Sequence, residues 1–465
     1  MPARDAEPFP RAVLDVLGAA ADRPVFEHGT RVVTGAELLD LVARVATALR
    51  RKGLGPGDGV ALLLGVTVEA FATILAAHVV GARVVGVRPG LTDTQVEHLL
   101  GLDIKLVVRD TADLVTTGLV TVPAAALHCD GHPGDVARLI HTSGSTGAPK
   151  ACAQTYASMA NAWNTRPAAW PPAVRELAAR LGRYLVFGSL SSQVMFEYAV
   201  LTLTAGGTVV VADDPATAIT DLRATARVIT VPGLAKLVAA QRHSPTGLDT
   251  LEALLVSGSP LTAERHREAL DVLGPVLFHG YGQTETGMIS MATPSDPPGT
   301  VGKPPVDVEI RDGELYVRTP SQASSYWGAP EESAEVFVDG WVRTRDLGRF
   351  DEDGNLVLTG RARDVVIVNA NLFHIGPIEH VLAGHPDVAE AYVVAAPDDD
   401  TGEAVHAFVV PRADRVPRLA ELRELVTARL GAACAPVRVT AITEPPVAPS
   451  GKPDKRRLAK LIGTA

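Results

Sequence analysis

The sequence predicts an α/β protein: a large N-terminal part built on parallel sheets with crossover helices, followed by a smaller α+β unit. Three observations support this prediction. Before Val306, short runs of β-branched residues alternate with longer segments of helical periodicity. Beyond Val306, short alternating runs separated by turn residues replace that rhythm. A charged break at residues 360–364 then precedes a new αβ segment.

The first βαβ unit is predicted from a strand at 60–64, a helix at 67–80 and a strand at 83–87. Later strands are predicted at 105–108, 139–141, 207–211, 227–231, 253–256 and 276–278. Their apolar runs are nearly continuous, which is typical of parallel strands covered by helices on both faces.

Hairpins are predicted around Asp312-Gly313 and at residues 351–355, each between short alternating runs. The break after these hairpins sets the predicted domain boundary. Residues 1–361 would form the large N-terminal domain, and residues 362–465 would form the small C-terminal domain.

Composition excludes several classes of function. The 465 residues include 43 basic and 53 acidic side chains, a formal net charge of −10, which does not favour binding to a phosphate backbone. The three cysteines are widely spaced and fit neither a disulfide framework nor a zinc site. The most apolar stretch, 60–87, contains charged residues and is no membrane span, and the N-terminus has no signal-peptide core. We therefore expect a cytoplasmic protein without nucleic acid or membrane partners.

A loop rich in glycine and hydroxyl residues runs from Thr142 to Lys150, directly after an apolar strand. Its backbone N–H groups and hydroxyls can converge on phosphate oxygens, and the lysine adds a positive charge. Pro149 precedes the lysine, so the loop is not a Walker A motif. The alternative interpretation is a surface linker. The candidate phosphate ligands are Thr142, Ser143, Gly144, Ser145, Thr146, Gly147 and Lys150.

Three further segments carry candidate chemistry. Residues 281–285, Tyr-Gly-Gln-Thr-Glu, bring an aromatic ring, a hydroxyl and a carboxylate to one strand end, although a glycine-rich turn with a core tyrosine would look the same. Asp346 and Arg361 follow hairpins, where such residues are usually solvated. Lys452 lies in Pro-Ser-Gly-Lys and could be one more tail lysine.

In this order, the segments resemble the motifs of the AMP-forming carboxylate-activating enzymes, the ANL superfamily of acyl-CoA synthetases, peptide-synthetase adenylation domains and luciferases. The resemblance covers nearly the whole chain. It implies a large N-terminal domain of parallel sheets with a small β-barrel-like part, and a small mobile C-terminal domain. Two positions depart from the family: Arg345 replaces the usual glycine before Asp346, and Arg363 stands where the hinge residue is usually Asp or Lys.

The resemblance also implies roles. Lys452, Thr284 and Glu285 would be catalytic in the attack of a carboxylate on the α-phosphate of ATP. Tyr281 would stack on adenine, Asp346 and Arg361 would hold the ribose, and the loop would bind pyrophosphate oxygens. Glu285 and Thr146 would hold Mg²⁺. The remaining nucleotide-binding candidates are Ser257, Gly258, Gly280 and Gly282.

The acid-binding pocket is expected near residues 188–196. Amino-acid-activating relatives place an aspartate there to pair with the substrate ammonium, whereas this chain has Ser192 or Gln193. A neutral amide holds a buried cation poorly, so α-amino acids are less favoured than neutral or hydroxylated carboxylic acids. An aryl or short hydrophobic acid is the preferred substrate. Phe196, Gly280 and Met288 would complete the wall, although the phenylalanine taken alone is more typical of ordinary core packing.

The acceptor of the acyl group is the most open point. Thioester-forming relatives often carry Gly-Gly where this chain has Asn369-Ala370, which adds side chains along the thiol path. CoA is the preferred acceptor, and an amine or a partner carrier protein is the alternative. Two alternatives belong to other classes of function: a catalytically silent nucleotide-binding protein and a generic α/β ATPase. The missing Walker A motif disfavours the ATPase.

Overall fold

A computed structural model describes residues 8–89, 91–116, 118–142, 150–212, 218–258, 261–369, 371–398, 400–412, 415–448 and 452–462. The α-helices are α1 (Arg11–Ala19), α2 (Gly35–Arg51), α3 (Val68–Val79), α4 (Asp93–Leu100), α5 (Thr111–Thr116), α6 (Tyr156–Ala160), α7 (Pro172–Ala178), α8 (Gln193–Thr204), α9 (Ala218–Asp221), α10 (Val231–His243), α11 (Ala263–Leu273), α12 (Pro330–Val336), α13 (Ile375–Ala383), α14 (Leu419–Leu430) and α15 (Lys455–Ile462).

The strands in the described part of the chain are β1 (Pro24–His28), β2 (Arg31–Thr34), β3 (Gly59–Leu62), β4 (Arg83–Gly86), β5 (Ile104–Val108), β6 (Val136–Thr142), β7 (Lys150–Thr155), β8 (Arg183–Val186), β9 (Thr208–Val211), β10 (Ala226–Ile229), β11 (Ala253–Ser257), β12 (Leu277–Gln283), β13 (Gly287–Ala292), β14 (Asp307–Arg311), β15 (Glu314–Arg318), β16 (Ser325–Tyr326), β17 (Phe337–Val338), β18 (Trp341–Phe350), β19 (Leu356–Arg361), β20 (Val365–Val368), β21 (Asn371–His374), β22 (Val388–Asp398), β23 (Gly402–Pro411) and β24 (Arg438–Ala441).

Two largely parallel sheets form the body of the N-terminal part. The first has the strand order β13-β12-β11-β10-β8-β9-β1-β2, and the second β16-β7-β6-β4-β3-β5. In both sheets the inner strands pair in parallel, while β2, β13, β7 and β16 add antiparallel partners at the edges. The carboxyl ends of parallel strands are the usual place for ligand sites in such sheets.

One apolar core joins the two sheets. Helix α3 is buried on nearly every face, as expected for a helix whose sequence is hydrophobic all round. Its Phe71 ring lies 6.2 Å from the Phe26 ring of β1 and 5.7 Å from the Phe196 ring of α8. Residues of β1, β3, α3, α8 and β9 belong to the same cluster of buried side chains.

The third sheet, β14-β15-β18-β17 with β19 paired to β18, is antiparallel. Its first turn is Asp312-Gly313, with φ of +50° and +80°, the left-handed conformation that a two-residue hairpin turn of this type requires. Both hairpins predicted from the sequence are present as β14–β15 and β18–β19.

The fourth sheet, β21-β20-β23-β22 with β24 paired to β23, has its own apolar core with α13 and α14. We call residues 365–462, which hold this sheet and α13–α15, the C-terminal domain. The predicted fold class, parallel sheets followed by a separate C-terminal domain, is confirmed. In the described residues, every helix is too short or too polar to cross a membrane.

Candidate active site

A cleft of about 460 Å³ opens where strands of the two parallel sheets end. Gly86 ends β4, His141 lies near the end of β6, Ser257 ends β11 and Gln283 ends β12, and all four line the cleft. The third sheet contributes residues of β18 and β19, and the C-terminal tail contributes Lys452. Residues separated by more than 300 positions therefore meet in one site.

Lys452 lines the cleft, and two backbone hydrogen bonds fix its position in the tail. The Ala448 N–H donates to the Lys452 carbonyl at 2.8 Å, and the Asp454 N–H donates to the Pro446 carbonyl at 2.7 Å. The lysine stem passes Gly258, where an added Cβ would lie 3.4 Å from Lys452 Cε. The tail thus holds the ammonium group against the end of β11.

The Lys452 ammonium group lies near charges of both signs. Desolvation by the cleft walls, followed by the nearby Arg361 guanidinium, lowers the pKa of Lys452 below its ordinary value. Two carboxylates, Asp346 and Glu285, oppose this shift. An anion placed in the cleft would favour the charged form of the lysine.

Lys455 anchors the tail three residues after Lys452. Its Nζ lies 3.0 Å from Asp364 Oδ2 and 2.9 Å from Glu379 Oε1. Glu379 also accepts the Val393 N–H at 2.7 Å. Burial alone would lower the pKa of Lys455, but the two carboxylates outweigh it and raise that pKa. The lysine is therefore held charged, and it ties the tail to α13 and β22.

Asp346 forms the centre of a hydrogen-bonded group in the cleft. Its side chain is buried, and Oδ2 accepts the Tyr281 hydroxyl at 2.8 Å and the Gln283 Nε2 at 2.6 Å. Oδ1 lies 3.1 Å from Arg361 Nε. Burial and then the Asp346 charge raise the pKa of Tyr281, so the phenol is a neutral donor. Gln283, which the sequence analysis did not single out, completes the group.

Glu285 follows β12 in the turn to β13 and faces the start of β7. The Tyr326 hydroxyl donates to Glu285 Oε1 at 2.7 Å, and Lys150 Nζ lies 5.1 Å from the centre of the Tyr326 ring. Burial and then the Glu285 charge raise the pKa of Tyr326, which keeps the hydroxyl protonated as a donor. Thr284 lines the cleft beside this carboxylate.

The ends of the predicted phosphate loop border the same cleft. Thr142 ends β6, Lys150 begins β7, and the two residues are partners in the antiparallel ladder. The Lys150 side chain lines the cleft that also holds Lys452. The loop residues Ser143, Gly144, Ser145, Thr146 and Gly147 lie outside the described residues. The remaining candidates for nucleotide binding also line the cleft: Ser257, Gly258, Gly280 and Gly282.

The predicted acid-binding residues are only partly brought together. The ones that line the cleft are Ser192, Gln193, Gly280 and Met288. Phe196, expected on the wall, instead lies in the core with 2% of its surface exposed, packed between Phe71 and Phe9. The helical period of α8 explains this, because position 196 lies on the face turned toward the apolar core while positions 193 and 197 lie together on the cleft side.

Glu197 is a cleft residue that sequence reasoning missed. Its Oε1 accepts Arg138 at 2.6 Å and Gln193 Nε2 at 3.0 Å, and Arg138 Nε also donates to Gln154 Oε1 at 2.5 Å. The side chains of the ion pair are 10% and 9% exposed. The arginine neutralises this buried carboxylate, so Glu197 adds no unpaired negative charge to the part of the cleft that Gln193 lines.

Two family models match the chain. The AMP-binding enzyme model matches residues 16–327, and the model of the AMP-binding enzyme C-terminal domain matches residues 377–452. The chain belongs to the AMP-binding enzyme family. The resemblance to the AMP-forming adenylating enzymes is confirmed, as is the expectation of an AMP-forming acid ligase. Enzymes of this family use ATP.

Proteins similar to this chain differ in the group that accepts the acyl moiety. The fatty acid–acyl-carrier-protein ligase ScoC of Streptomyces coeruleorubidus is 30% identical, over 89% of each chain. The feruloyl-CoA synthase of an Amycolatopsis species is 31% identical, over 83% of this chain and 84% of its own. The structure of the amide bond synthetase McbA from Marinactinospora thermotolerans aligns with a TM-score of 0.85, at 32% identity, over 97% of this chain and 99% of its own. These three names have the activation of an acyl group in common, but they differ in the acceptor.

Arg88 and His141 are two further cleft residues of this AMP-binding enzyme that the sequence analysis did not identify. Arg88 follows the end of β4, is half-buried, and has no carboxylate partner among the described residues. Burial, then the charges of His98 and Arg88, lowers the pKa of His141 to about 4, so this imidazole is neutral near pH 7. Arg88 therefore offers a guanidinium to an anion in the cleft.

Replacing Arg88 with alanine should raise the KM for ATP by roughly 10- to 100-fold, because a hydrogen bond to a charged group contributes roughly 1.5–3 kcal/mol. The measurement is ATP-dependent pyrophosphate exchange at varied ATP, supported by calorimetric binding of ATP. Arg429→Ala, on the exposed surface of α14, is the matched control and should leave the KM unchanged. An unchanged KM in Arg88→Ala would contradict a role for this residue in nucleotide binding.

Proposed function

We propose that this enzyme converts an aryl or short hydrophobic carboxylic acid without an ammonium group, together with ATP, into an acyl-adenylate and pyrophosphate, and then passes the acyl group to the thiol of CoA. The observation that carries the proposal is that Lys452 of the tail and Lys150 of β7 line one cleft with the Asp346 hydrogen-bonded group. Acid adenylation requires cations that stabilise the phosphates and polar side chains that bind the nucleotide. Groups of both kinds lie together at these strand ends.

In the first step a carboxylate oxygen attacks the α-phosphorus, a new oxygen–phosphorus bond forms, and the bond to the leaving pyrophosphate breaks. Negative charge accumulates on the phosphoryl oxygens, and Lys452 and Thr284 would stabilise it electrostatically. Lys150, Arg88 and the hydroxyls of the loop at 142–147 would hold the departing pyrophosphate. Of these groups, Lys452, Thr284, Lys150 and Arg88 line one cleft in the described part of the chain.

A magnesium ion fits this cleft as a partner of the phosphates rather than as a protein-only centre. In the portion of the chain that is described, no group of three or more Asp, Glu, His or Cys side chains could hold a metal. Mg²⁺ commonly binds one or two carboxylates plus substrate phosphates. Glu285, oriented by Tyr326, and Thr146 would hold it. Such an ion would neutralise phosphate charge during the attack.

The nucleoside would bind beside the third sheet. The ring of Tyr281 lines the cleft and is held by its hydroxyl bond to Asp346, so it can stack on adenine. Each Asp346 oxygen can accept more than one hydrogen bond, and among the described residues Oδ1 is contacted by Arg361 alone. Asp346 and Arg361 would therefore bind the ribose hydroxyls.

The residues around Gln193 and Glu197 favour an aromatic acid that carries no ammonium group. Arg138 neutralises Glu197, and Gln193 already donates to that carboxylate, so a substrate ammonium would find no free counter-charge there. Trp163 and Tyr198, whose ring centres lie 5.3 Å apart, also line the cleft. Apolar and aromatic walls of this kind suit a flat ring.

We place the domain boundary at residues 361/362 and the hinge at Arg363. Arg361 and Asp364 both line the cleft, so a rotation near this point would change what the C-terminal domain presents to it. Arg363 lies 3.5 Å from Glu335 in the orientation described here. Two chemical steps in one cleft require such a change, because the group that stabilises the first step must make room for the acceptor.

An amine is the second candidate acceptor. The similarity to the amide bond synthetase McbA and the replacement of a glycine by Asn369 both favour it. Asn369 has a φ of +51°, a conformation that glycine adopts without strain, yet the chain places a side chain there. The similarity to the feruloyl-CoA synthase supports CoA, and that to ScoC keeps a carrier protein as an alternative.

The proposal is tested by pyrophosphate exchange with a panel of benzoic, cinnamic and indole acids, short fatty acids and α-amino acids. We expect exchange with aryl or short hydrophobic acids that carry no ammonium group. Exchange confined to α-amino acids would contradict the assigned substrate class, and no exchange with any acid would contradict the activity. Mass spectrometry of the product formed with CoA, an amine or a holo carrier protein, each supplied separately, then identifies the acceptor.

A further inference from the structure

Helix α11 lies on the N-terminal part and meets the C-terminal domain through ion pairs that the adenylation chemistry does not use. Arg265 NH1 lies 3.1 Å from Glu390 Oε1 of β22. Arg412, at the end of β23, lies 3.2 Å from Glu264 Oε1 and 3.4 Å from Glu268 Oε2. These contacts join residues more than 120 positions apart, so they define how the two domains are oriented.

The Arg265–Glu390 pair differs from ordinary surface ion pairs in its burial. Its side chains are 11% and 10% exposed, whereas those of the nearby interdomain pair Lys236–Glu444 are 74% and 68% exposed. The Tyr392 hydroxyl also donates to Glu390 Oε2, so both oxygens of this carboxylate have partners. An exposed pair contributes little, while removing one partner of a buried pair leaves an uncompensated charge.

Charged side chains of helix α11 lie opposite side chains of the opposite charge on the C-terminal domain. Helix α11 presents Glu264, Arg265 and Glu268 in the order negative, positive, negative. The C-terminal domain presents the carboxylate of Glu390 to the arginine and the guanidinium of Arg412 to both glutamates. A displaced or rotated domain would bring like charges together, so this pattern selects a single orientation.

A continuous set of contacts connects this interface with the cleft. Glu390 and Val393 lie on the same strand, β22. The Val393 N–H donates to Glu379, and Glu379 pairs with Lys455 at 2.9 Å. Lys455 begins α15, three residues after Lys452. Contacts therefore run from α11 through β22 and α13 to the segment that carries Lys452.

We propose that Arg265 and Glu390 form an interdomain latch that holds the C-terminal domain in the orientation with Lys452 in the cleft, and that Arg265 is a positioning residue for adenylation. This inference rests on the proposed function. It assigns the latch to the first half-reaction only. Transfer of the acyl group from a finished adenylate does not need Lys452 in the cleft, so it does not need the latch.

The test is a charge swap. Arg265→Glu and Glu390→Arg should each reduce the pyrophosphate exchange rate by at least about tenfold, because each places two like charges together. The double variant restores opposite charges and should recover most of the rate. Lys236→Glu, at the exposed interdomain pair, is the matched control and should stay within about twofold of the unchanged enzyme.

A second readout separates positioning from general stability. Thermal unfolding is measured for every variant, and acyl transfer is assayed with presynthesised acyl-adenylate. The latch predicts loss of exchange with transfer retained in a folded Arg265→Glu protein. It is overturned if exchange and transfer fall in parallel, if the exchange rate of Arg265→Glu is unchanged, or if the double variant shows no recovery.

A third readout needs no turnover and keeps the latch testable if the enzyme shows no exchange with any acid. Spin labels at His243→Cys on α10 and Glu424→Cys on α14, in a Cys129→Ser background, report the distance between the domains. We expect one narrow distance distribution in the parent and a broadened or shifted one in Arg265→Glu. Identical distributions in the two proteins would overturn the latch, independently of the proposed function.

Discussion

Replacing Lys452 with alanine is expected to reduce acid-dependent pyrophosphate exchange by about 10²–10³-fold, the effect of removing one preorganised group that stabilises developing negative charge. The lysine side chain lies at the end of β11 beside Gly258, and two backbone hydrogen bonds join Pro446 and Ala448 to Asp454 and Lys452. Alanine keeps these backbone bonds and removes the side chain with its ammonium group. The variant should therefore still transfer the acyl group from presynthesised acyl-adenylate.

Lys460→Ala provides the matched control for this experiment. Lys460 lies on the exposed side of α15, in the same tail, and its loss should leave exchange unchanged. Thermal unfolding should show both variants folded to the same extent. Exchange at the normal rate in Lys452→Ala would remove this residue from the first step.

Asp346→Asn is expected to raise the KM for ATP by roughly 10- to 100-fold, from the roughly 1.5–3 kcal/mol of a hydrogen bond to a charged group. The carboxylate accepts from Tyr281, Gln283 and Arg361, all donors. An amide group would turn its own N–H groups toward one of these donors and leave the arginine without its counter-charge. A lower melting temperature should accompany the KM effect, measured by calorimetry and exchange kinetics.

Deoxynucleotides separate loss of ribose contacts from general damage to the cleft. In the unchanged enzyme, 2′-deoxyATP and 3′-deoxyATP should bind more weakly than ATP. In Asp346→Asn the same deoxynucleotides should lose little more, because the charged carboxylate that would accept from the ribose is already replaced by a neutral amide, and the two changes are not additive. Asp353→Asn, in the exposed turn between β18 and β19, is the control. Fully additive losses would contradict a ribose-binding role for Asp346.

Local sequence signals predicted the fold and the strand end at residues 281–285 because both depend on short-range patterns. Apolar runs such as 253–256 became the buried strand β11, and residues 281–285 became a strand end with its turn. The hairpin at Asp312-Gly313 followed from turn chemistry alone. In each case the residues that decide the structure are neighbours in the chain.

Other features depend on distant partners and leave no local signal. The Arg138–Glu197 pair joins residues 59 positions apart, and nothing near either residue indicates its partner. Arg88 follows a strand as an ordinary loop arginine would, and only the folded cleft brings it near Lys452. Phe196 was expected on the wall and lies in the core, because the residue composition of α8 did not reveal which face the apolar core covers.

The account depends most on formation of an acyl-adenylate in this cleft, and a single-turnover experiment tests it most directly. Excess enzyme is mixed with an accepted acid and ATP labelled at the α-phosphorus, with no thiol or amine present. The account predicts that the label moves into enzyme-bound acyl-AMP, at a rate that depends on the acid. Label appearing in ADP, or in AMP without any acid, would contradict it.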